Sequence, residues 1–299
     1  MTADKGYRVG VDVGGTKIAI ALVDDSNQVL GDPVRFATKQ FKEGQPLVDR
    51  LVKEVRSLLS SHQLTPDDVA GIGIGSPGPL DLKTGTVLHT PNMPMLENFG
   101  LKDAVQNTSG MRTEVNNDAN CFVLGEALAG EAKHGDIVGG VTLGTGFGCG
   151  VVFNGEIYIG ATGTAAEIAF CPYKETTIEE YVSGRGLSRM YEQRTGQRLL
   201  GPEIAQKAGE GDQDALAAFK EFGEALGYFF TYFINILDPD YIVVGGSISK
   251  DWNYFQESMR NTVDKYINPS PKHHLKYVQS KLGESAAIVG AAGLLLAAE

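Results

Sequence analysis

Cysteine is scarce in this chain: Cys121, Cys149 and Cys171 are the three in 299 residues, and no two are closely spaced. That excludes a disulfide framework and the paired spacing of a zinc site, and it fits a reducing, cytoplasmic setting. Basic charge is also short. Twenty-six Lys and Arg against 37 Asp and Glu leave a formal net charge of −11, which argues against a nucleic-acid partner held on a broad basic face. An acidic chain can still hold a phosphate anion where backbone N–H groups and a metal ion supply the local charge. Long apolar runs are missing too. The longest, residues 286–298, is 13 residues, too short to span a bilayer and better read as a buried helix. The opening MTADKGYRVG has no apolar signal core, so no membrane partner is expected.

What the chain does have is the grammar of an α/β protein, with 42% apolar and 21% charged residues and enough length to bury a sizeable core. Residues 7–13 read as a strand, 14–17 as a tight turn and 18–23 as a second strand. A third strand follows the polar turn at Asp24–Asn27. Leu47, Leu51, Val55, Leu58 and Leu59 recur at helical spacing, predicting an amphipathic helix over 45–61. Thr65-Pro66 reads as a helix start, and 69–75 as a buried strand. The second half repeats the pattern. It has a strand at 112–116, a helix from about Asp118, and strands around a Gly-rich turn within 139–153. A hairpin signal follows at Asn154-Gly155, then helices over 213–236 and 251–266 with a strand at 240–246 between them. The expectation is two α/β lobes with a cleft between them. Residues 1–115 would form the first lobe and 116–284 the second, with a C-terminal helix over 285–299 packing back on the first.

Two Gly-rich turns could cradle phosphates: Asp12-Val-Gly-Gly-Thr-Lys17 and Gly144-Thr-Gly-Phe-Gly-Cys-Gly150. Glycine admits positive φ and lets backbone N–H groups approach an anion with no Cβ in the way. Each could equally be a plain hairpin turn. Neither matches a P-loop, and the second runs into a strand where a dinucleotide fingerprint needs a helix. What fits is a pair of β-hairpin phosphate loops, one per lobe, with Asp12 placed to hold Mg²⁺ directly or through water.

These segments resemble the ROK family of sugar kinases (repressors, open reading frames, kinases), within the actin-like superfamily. The resemblance rests on VGVDVGGTKIAIALVD at 8–24, GIGIGSPGPLD at 71–81, TPNMP at 90–94 and EVNNDANCFVLGE at 114–126. It continues through TLGTGFGCGVVFNGEIYIGATGTAAEIAF at 142–170, EEYVSG at 179–184 and LDPDYIVVGGSIS at 237–249. It implies two actin-like (ribonuclease H-like) lobes, an ATP and Mg²⁺ requirement, a homodimer, and transfer of phosphate to the 6-hydroxyl of a hexose, glucose by default. Fructose, mannose or an N-acetylhexosamine are the alternatives. By position, Asp118 is the implied catalytic base, with a helix N-cap as its plain structural reading. Gly75, Gly78, Asn92, Asn117, Asp118, Glu167 and Glu179 are the implied sugar contacts. Asp12, Gly14, Gly15, Thr16, Lys17, Gly144, Thr145 and Gly146 would hold the phosphates, with adenine and ribose near Gly245, Gly246 and Ser247.

The pattern breaks at one place. Many members carry a His three residues after the first sugar-binding Glu, then a C-x-C-G-x-x-G-C zinc loop. Here that position is Phe170, and the following segment, residues 171–178, has one cysteine and no histidine. Three or four soft ligands are needed for structural zinc, so none is expected, and sugar choice cannot be copied from zinc-bearing relatives. A DNA-binding repressor of the same fold adds an N-terminal helix-turn-helix, for which a strand starting at residue 7 leaves no room. Asp12, both turns and Asp118 speak against a non-catalytic sugar-binding protein.

Overall fold

The computed structural model describes residues 6–296. They divide into two compact units, one of residues 6–134, 150–165 and 282–296, the other of 135–149 and 166–281. In the first, β1 (Tyr7–Val13) and β2 (Lys17–Asp24) form an antiparallel hairpin, and β3 (Val29–Ala37) extends it. α1 (Gly44–Ser61) is amphipathic as its spacing predicts, with Leu47, Leu51, Val55, Leu58 and Leu59 all buried. Thr65-Pro66 opens a single 3-10 turn, Pro66–Asp68, and no longer helix. The Thr65 N–H and hydroxyl both donate to Asp68 Oδ2, at 2.7 and 2.6 Å, closing the box on one turn.

β4 (Val69–Ser76) follows at once, parallel to β1. The two-residue strands β5 (Leu80–Asp81), β6 (Thr86–Val87) and β7 (Phe99–Gly100) make a small sheet. α2 (Leu101–Ser109) then leads to β8 (Thr113–Asn117), parallel to β4, and α3 (Asp118–Ala129).

β9 (Ile137–Leu143) opens the second unit, and the chain passes back to the first within β10 (Phe147–Phe153). β11 (Glu156–Ile157) pairs with β10 across Asn154-Gly155, whose φ angles of 51° and 80° are those of the hairpin turn that this dipeptide predicts. Next come β12 (Pro172–Tyr173), β13 (Thr176–Thr177), α4 (Glu179–Val182), α5 (Gly184–Thr195), α6 (Gly201–Gly209) and α7 (Gln213–Leu237). β14 (Tyr241–Gly245), α8 (Trp252–Tyr266), α9 (Pro269–His274) and β15 (Lys276–Gln279) complete the second unit. α10 (Glu284–Gly293) belongs to the first unit.

The two main sheets have the same order, β3-β2-β1-β4-β8 and β11-β10-β9-β14-β15. This is the α/β class expected from the sequence, present twice.

α10 packs on β1, β4 and above all α3. It is nearly all small and apolar, and its buried run includes Ala286, Ile288, Val289, Gly290, Ala291 and Ala292. At Gly290 any side chain would overlap the Cys121 carbonyl oxygen, and at Gly125 the Ala286 carbonyl oxygen. Backbone-to-backbone contact therefore ties α3 to α10, and residues 116–134 fall with the first unit, where the sequence reading assigned them to the second. The last three residues of the helix expected over 285–299 lie outside the described residues. Gly290→Ala is expected to destabilise the protein by about 3 kcal/mol or more through overpacking. A chemical-denaturation midpoint equal to that of the unmodified protein would contradict this contact.

Candidate active site

In the first unit the carboxyl ends of three parallel strands align. Asp12 of β1 is in register with Gly75 of β4, and Gly75 and Ser76 are in register with Asn116 and Asn117 of β8. The ends of parallel strands are where open α/β sheets bind ligands. A Cβ at Gly75 would lie 3.3 Å from Cys121 Sγ and 3.6 Å from Asp118 Cα, so a side chain there would crowd the start of α3. The helix N-cap is Asn117: its Oδ1 accepts from the Ala119 and Asn120 N–H groups at 2.9 and 3.4 Å. Capping, the plain reading of Asp118, is thus done by its neighbour. Asp118 is the first helical residue and accepts from the Ala119 N–H at 2.8 Å, where the helix dipole favours an ionised carboxylate. With its Oδ1 committed, Asn117 has its Nδ2 to offer a ligand, beside Gly78.

The Asp12–Lys17 turn is a closed hairpin. The Gly14 N–H donates to Lys17 O at 2.9 Å, and a Cβ at Gly15 would lie 3.3 Å from Asn92 Cβ, which brings the exposed Asn92 against the turn. Thr38, fully buried, holds the turn from beneath: its hydroxyl donates to Gly15 O at 2.9 Å and its N–H to Thr16 O at 3.1 Å. No sequence pattern marks Thr38. Thr38→Val keeps the shape and removes the hydroxyl bond, worth about 1 kcal/mol, so the KM for ATP should rise about fivefold. An unchanged KM would take Thr38 out of the site.

Asp12 is half-buried, and its carboxyl is pushed up to about 6, first by burial and then by the Glu284 carboxylate, against the lowering effect of Lys17. Lys17 Nζ is 2.5 Å from Glu284 Oε1, and Arg35 lies 3.6 Å from the other oxygen. Sequence reasoning missed both Arg35 and Glu284; the latter is 267 positions from Lys17. A half-buried carboxylate whose ionised form is under-solvated fits a divalent cation, which would restore the lost solvation.

The second unit gathers the remaining candidates. Gly144 N–H donates to Gly146 O at 3.0 Å, and Gly184 N–H to Gly144 O at 2.8 Å. Gly245 is in register with Thr142 at the end of β9. Gly246 has φ 85° and packs on the Leu143 backbone, leaving no room for a Cβ. A Cβ at Gly144 would lie 4.0 Å from Ser247 Oγ, so the two turns are neighbours; Thr145 is exposed between the glycines. Glu179 closes on the same turn: its Oε2 accepts from the Phe147 N–H at 3.0 Å, and Arg185 donates to its Oε1 at 2.6 Å. Glu167 lies at the surface, and its carboxyl is held above the ordinary Glu value by the protein around it and then by the Glu179 charge. Phe170, the residue at the family's usual His position, is 75% exposed on the 3-10 turn Ile168–Phe170.

The fold is that of an α/β protein of the actin-like kind, and the chain belongs to the ROK family, whose model matches residues 8–298. The glucokinase of Thermotoga maritima is 30% identical over 96% of both chains. The N-acetyl-D-glucosamine kinase of Vibrio cholerae is 30% identical over 95% of this chain and 98% of its own. Among solved structures, the ROK family glucokinase of Streptomyces griseus, in complex with glucose and AMPPNP, superposes with a TM-score of 0.80 at 29% identity, over 97% of this chain and 99% of that one. Among the described residues no helix is long and apolar enough to cross a membrane.

Proposed function

We propose that the chain is an ATP-dependent sugar kinase that transfers the terminal phosphoryl group to the primary, 6-hydroxyl of a hexose. The observation behind it is the register of Asp12, Gly75 and Asn116–Asn117, which sets a metal-suited carboxylate and Asp118 around one set of strand ends. Backbone N–H groups of Gly15 and Thr16, in the turn that the Gly14 N–H closes on Lys17 O, hold phosphate oxygens of ATP together with the Lys17 side chain, and Gly144, Thr145 and Gly146 supply the second turn. Gly245, Gly246 and Ser247 take the adenosine. Asp12 would hold Mg²⁺, directly or through water, and the bound ion would supply neutralising charge at the phosphates. Asn92, Asn117, Glu167 and Glu179 hold sugar hydroxyls, with Gly75 and Gly78 letting the wall come close. Asp118 accepts a hydrogen bond from the attacking hydroxyl, aims it in line, and takes its proton late in the transfer.

Glucose is the first substrate to test and N-acetylglucosamine the second, because curated relatives of both kinds are equally similar to this chain. A coupled assay over glucose, N-acetylglucosamine, mannose and fructose decides. Turnover of glucose with the highest kcat/KM is the expected result, and no turnover of any hexose would sink the kinase reading. The enzyme is further proposed to be a cytoplasmic homodimer, which sedimentation would check.

A further inference from the structure

We infer that the segment joining Glu167 to Glu179 is set by an aromatic and cationic clamp around Tyr181 in place of a metal ion, and that this clamp positions Glu179 toward the sugar. The inference deepens the kinase reading and rests on it for the sugar.

Among the described residues no group of three or more His, Cys, Asp and Glu could hold a metal, and Cys171 is a lone exposed thiol. The zinc that many relatives of this fold carry thus has no ligand set here. In its place stands a small hairpin, Pro172↔Thr177 and Tyr173↔Thr176, followed by the single-turn α4 that bears Glu179. A four-residue helix without a side-chain cap cannot hold its own orientation.

Tyr181, only 7% exposed, supplies the grip. Its ring meets the Tyr173 edge with centroids 4.9 Å apart, and Tyr173 in turn leans on Tyr228 of α7 at 6.2 Å. The Arg189 guanidinium of α5 stacks on the Tyr181 ring at 4.3 Å and donates to the Glu180 carbonyl at 2.8 Å. Lys174 lies 5.1 Å from the Tyr181 centroid and 5.6 Å from that of Tyr173. The Tyr181 hydroxyl donates to Glu175 at 2.6 Å, tying α4 back to the hairpin.

Two positions apart on a helical turn, Glu179 and Tyr181 point to opposite sides. The Tyr181 side is gripped by hairpin, α5 and α7, which leaves the Glu179 side at the Gly144–Gly146 turn, where Phe147 and Arg185 receive it. Stacked rings and cations thus replace metal bonds as the fixed reference for the sugar-facing carboxylate.

The test is a set of variants with sugar and ATP kinetics measured separately. Tyr181→Leu and Arg189→Ala should each raise the KM for the sugar about tenfold, with kcat and the KM for ATP changed less than about threefold. Tyr181→Phe, which keeps the ring, should stay within about threefold of the parent. Zinc found by elemental analysis should be below about 0.1 per chain, and 1,10-phenanthroline with Mg²⁺ in excess should leave the sugar KM unchanged. A sugar KM indifferent to both ring and guanidinium would overturn the inference. So would parallel loss of kcat and ATP affinity, or stoichiometric zinc whose removal weakens sugar binding. If Tyr181→Leu does not fold, Arg189→Ala and Tyr173→Leu on the half-exposed side of the clamp decide. Should the parent phosphorylate no sugar, the kinase reading falls on the substrate panel, while the clamp is judged by hydrogen exchange: Tyr181→Leu must deprotect residues 172–182 selectively, and uniform protection there would refute it.

Discussion

Replacing Asp118 by Asn should lower kcat about a thousandfold while the affinity for sugar changes only a few-fold, within the range known for removal of a general base. The substitution isolates the charge. An Asn Oδ1 can still accept from the Ala119 N–H as Asp118 does now, and the cap of α3 stays intact because Asn117 provides it. Cys121, in the same first turn of α3, is fully buried and kept as the neutral thiol first by burial and then by the Asp118 charge, so with burial the larger cause it stays neutral in the variant. What disappears is the anion at the helix start that, in the proposed mechanism, orients the hydroxyl and receives its proton. Calorimetry on the variant measures the sugar, and a coupled assay measures turnover. A kcat within tenfold of the parent would remove Asp118 from the mechanism.

The place of that residue in the fold, at the step from strand to helix, was legible because local and spatial signals agree there. The strand, the Asn-Asp step and the helix start are contiguous in sequence, as are the first phosphate hairpin and α1 with its buried leucines. The elements that escaped are those with no room for a period to show. The strands β5, β6 and β7 are two residues each, and the Thr65-Pro66 signal was real but was spent on one 3-10 turn.

Partners remote in sequence escaped for a different reason. Thr38 and Glu284 carry no motif, yet one props the Asp12–Lys17 turn and the other pairs with its lysine. The domain boundary failed similarly, because the contact that claims α3 for the first unit comes from glycines 125 and 290, far apart in the chain. Phe170, at the position of the family's histidine, is largely exposed, and the contacts that hold that segment come from Tyr173 and Tyr181, which were not singled out.

The half-buried Asp12 gives the second large effect, in which stability and activity move in opposite directions. Burial pushes its carboxyl up to about 6 in the folded protein, from 3.8 for the free group. A raised acid is one whose ionised form the fold disfavours. The protonated form therefore contributes stability that is fully present below about pH 4 and is lost as pH rises through about 6. At pH 7.5 the ionised Asp12 costs about 2–3 kcal/mol, taking some 1.4 kcal/mol per pH unit over the shift. Asp12→Asn removes that cost, so the variant should melt several degrees higher at pH 7.5 and match the parent near pH 4. It should also lose the metal-holding carboxylate, and with it at least about a hundredfold in kcat/KM for MgATP. In the parent, acid should act the same way more gently: the KM for MgATP should rise about tenfold per unit below pH 6, as a proton displaces the cation from Asp12. Saturating Mg²⁺ without nucleotide should stabilise the parent at pH 7.5 and leave Asp12→Asn unmoved. A variant no more stable than the parent at neutral pH, or equally stabilised by Mg²⁺, would mean that Asp12 is neither strained by burial nor the residue that receives the metal.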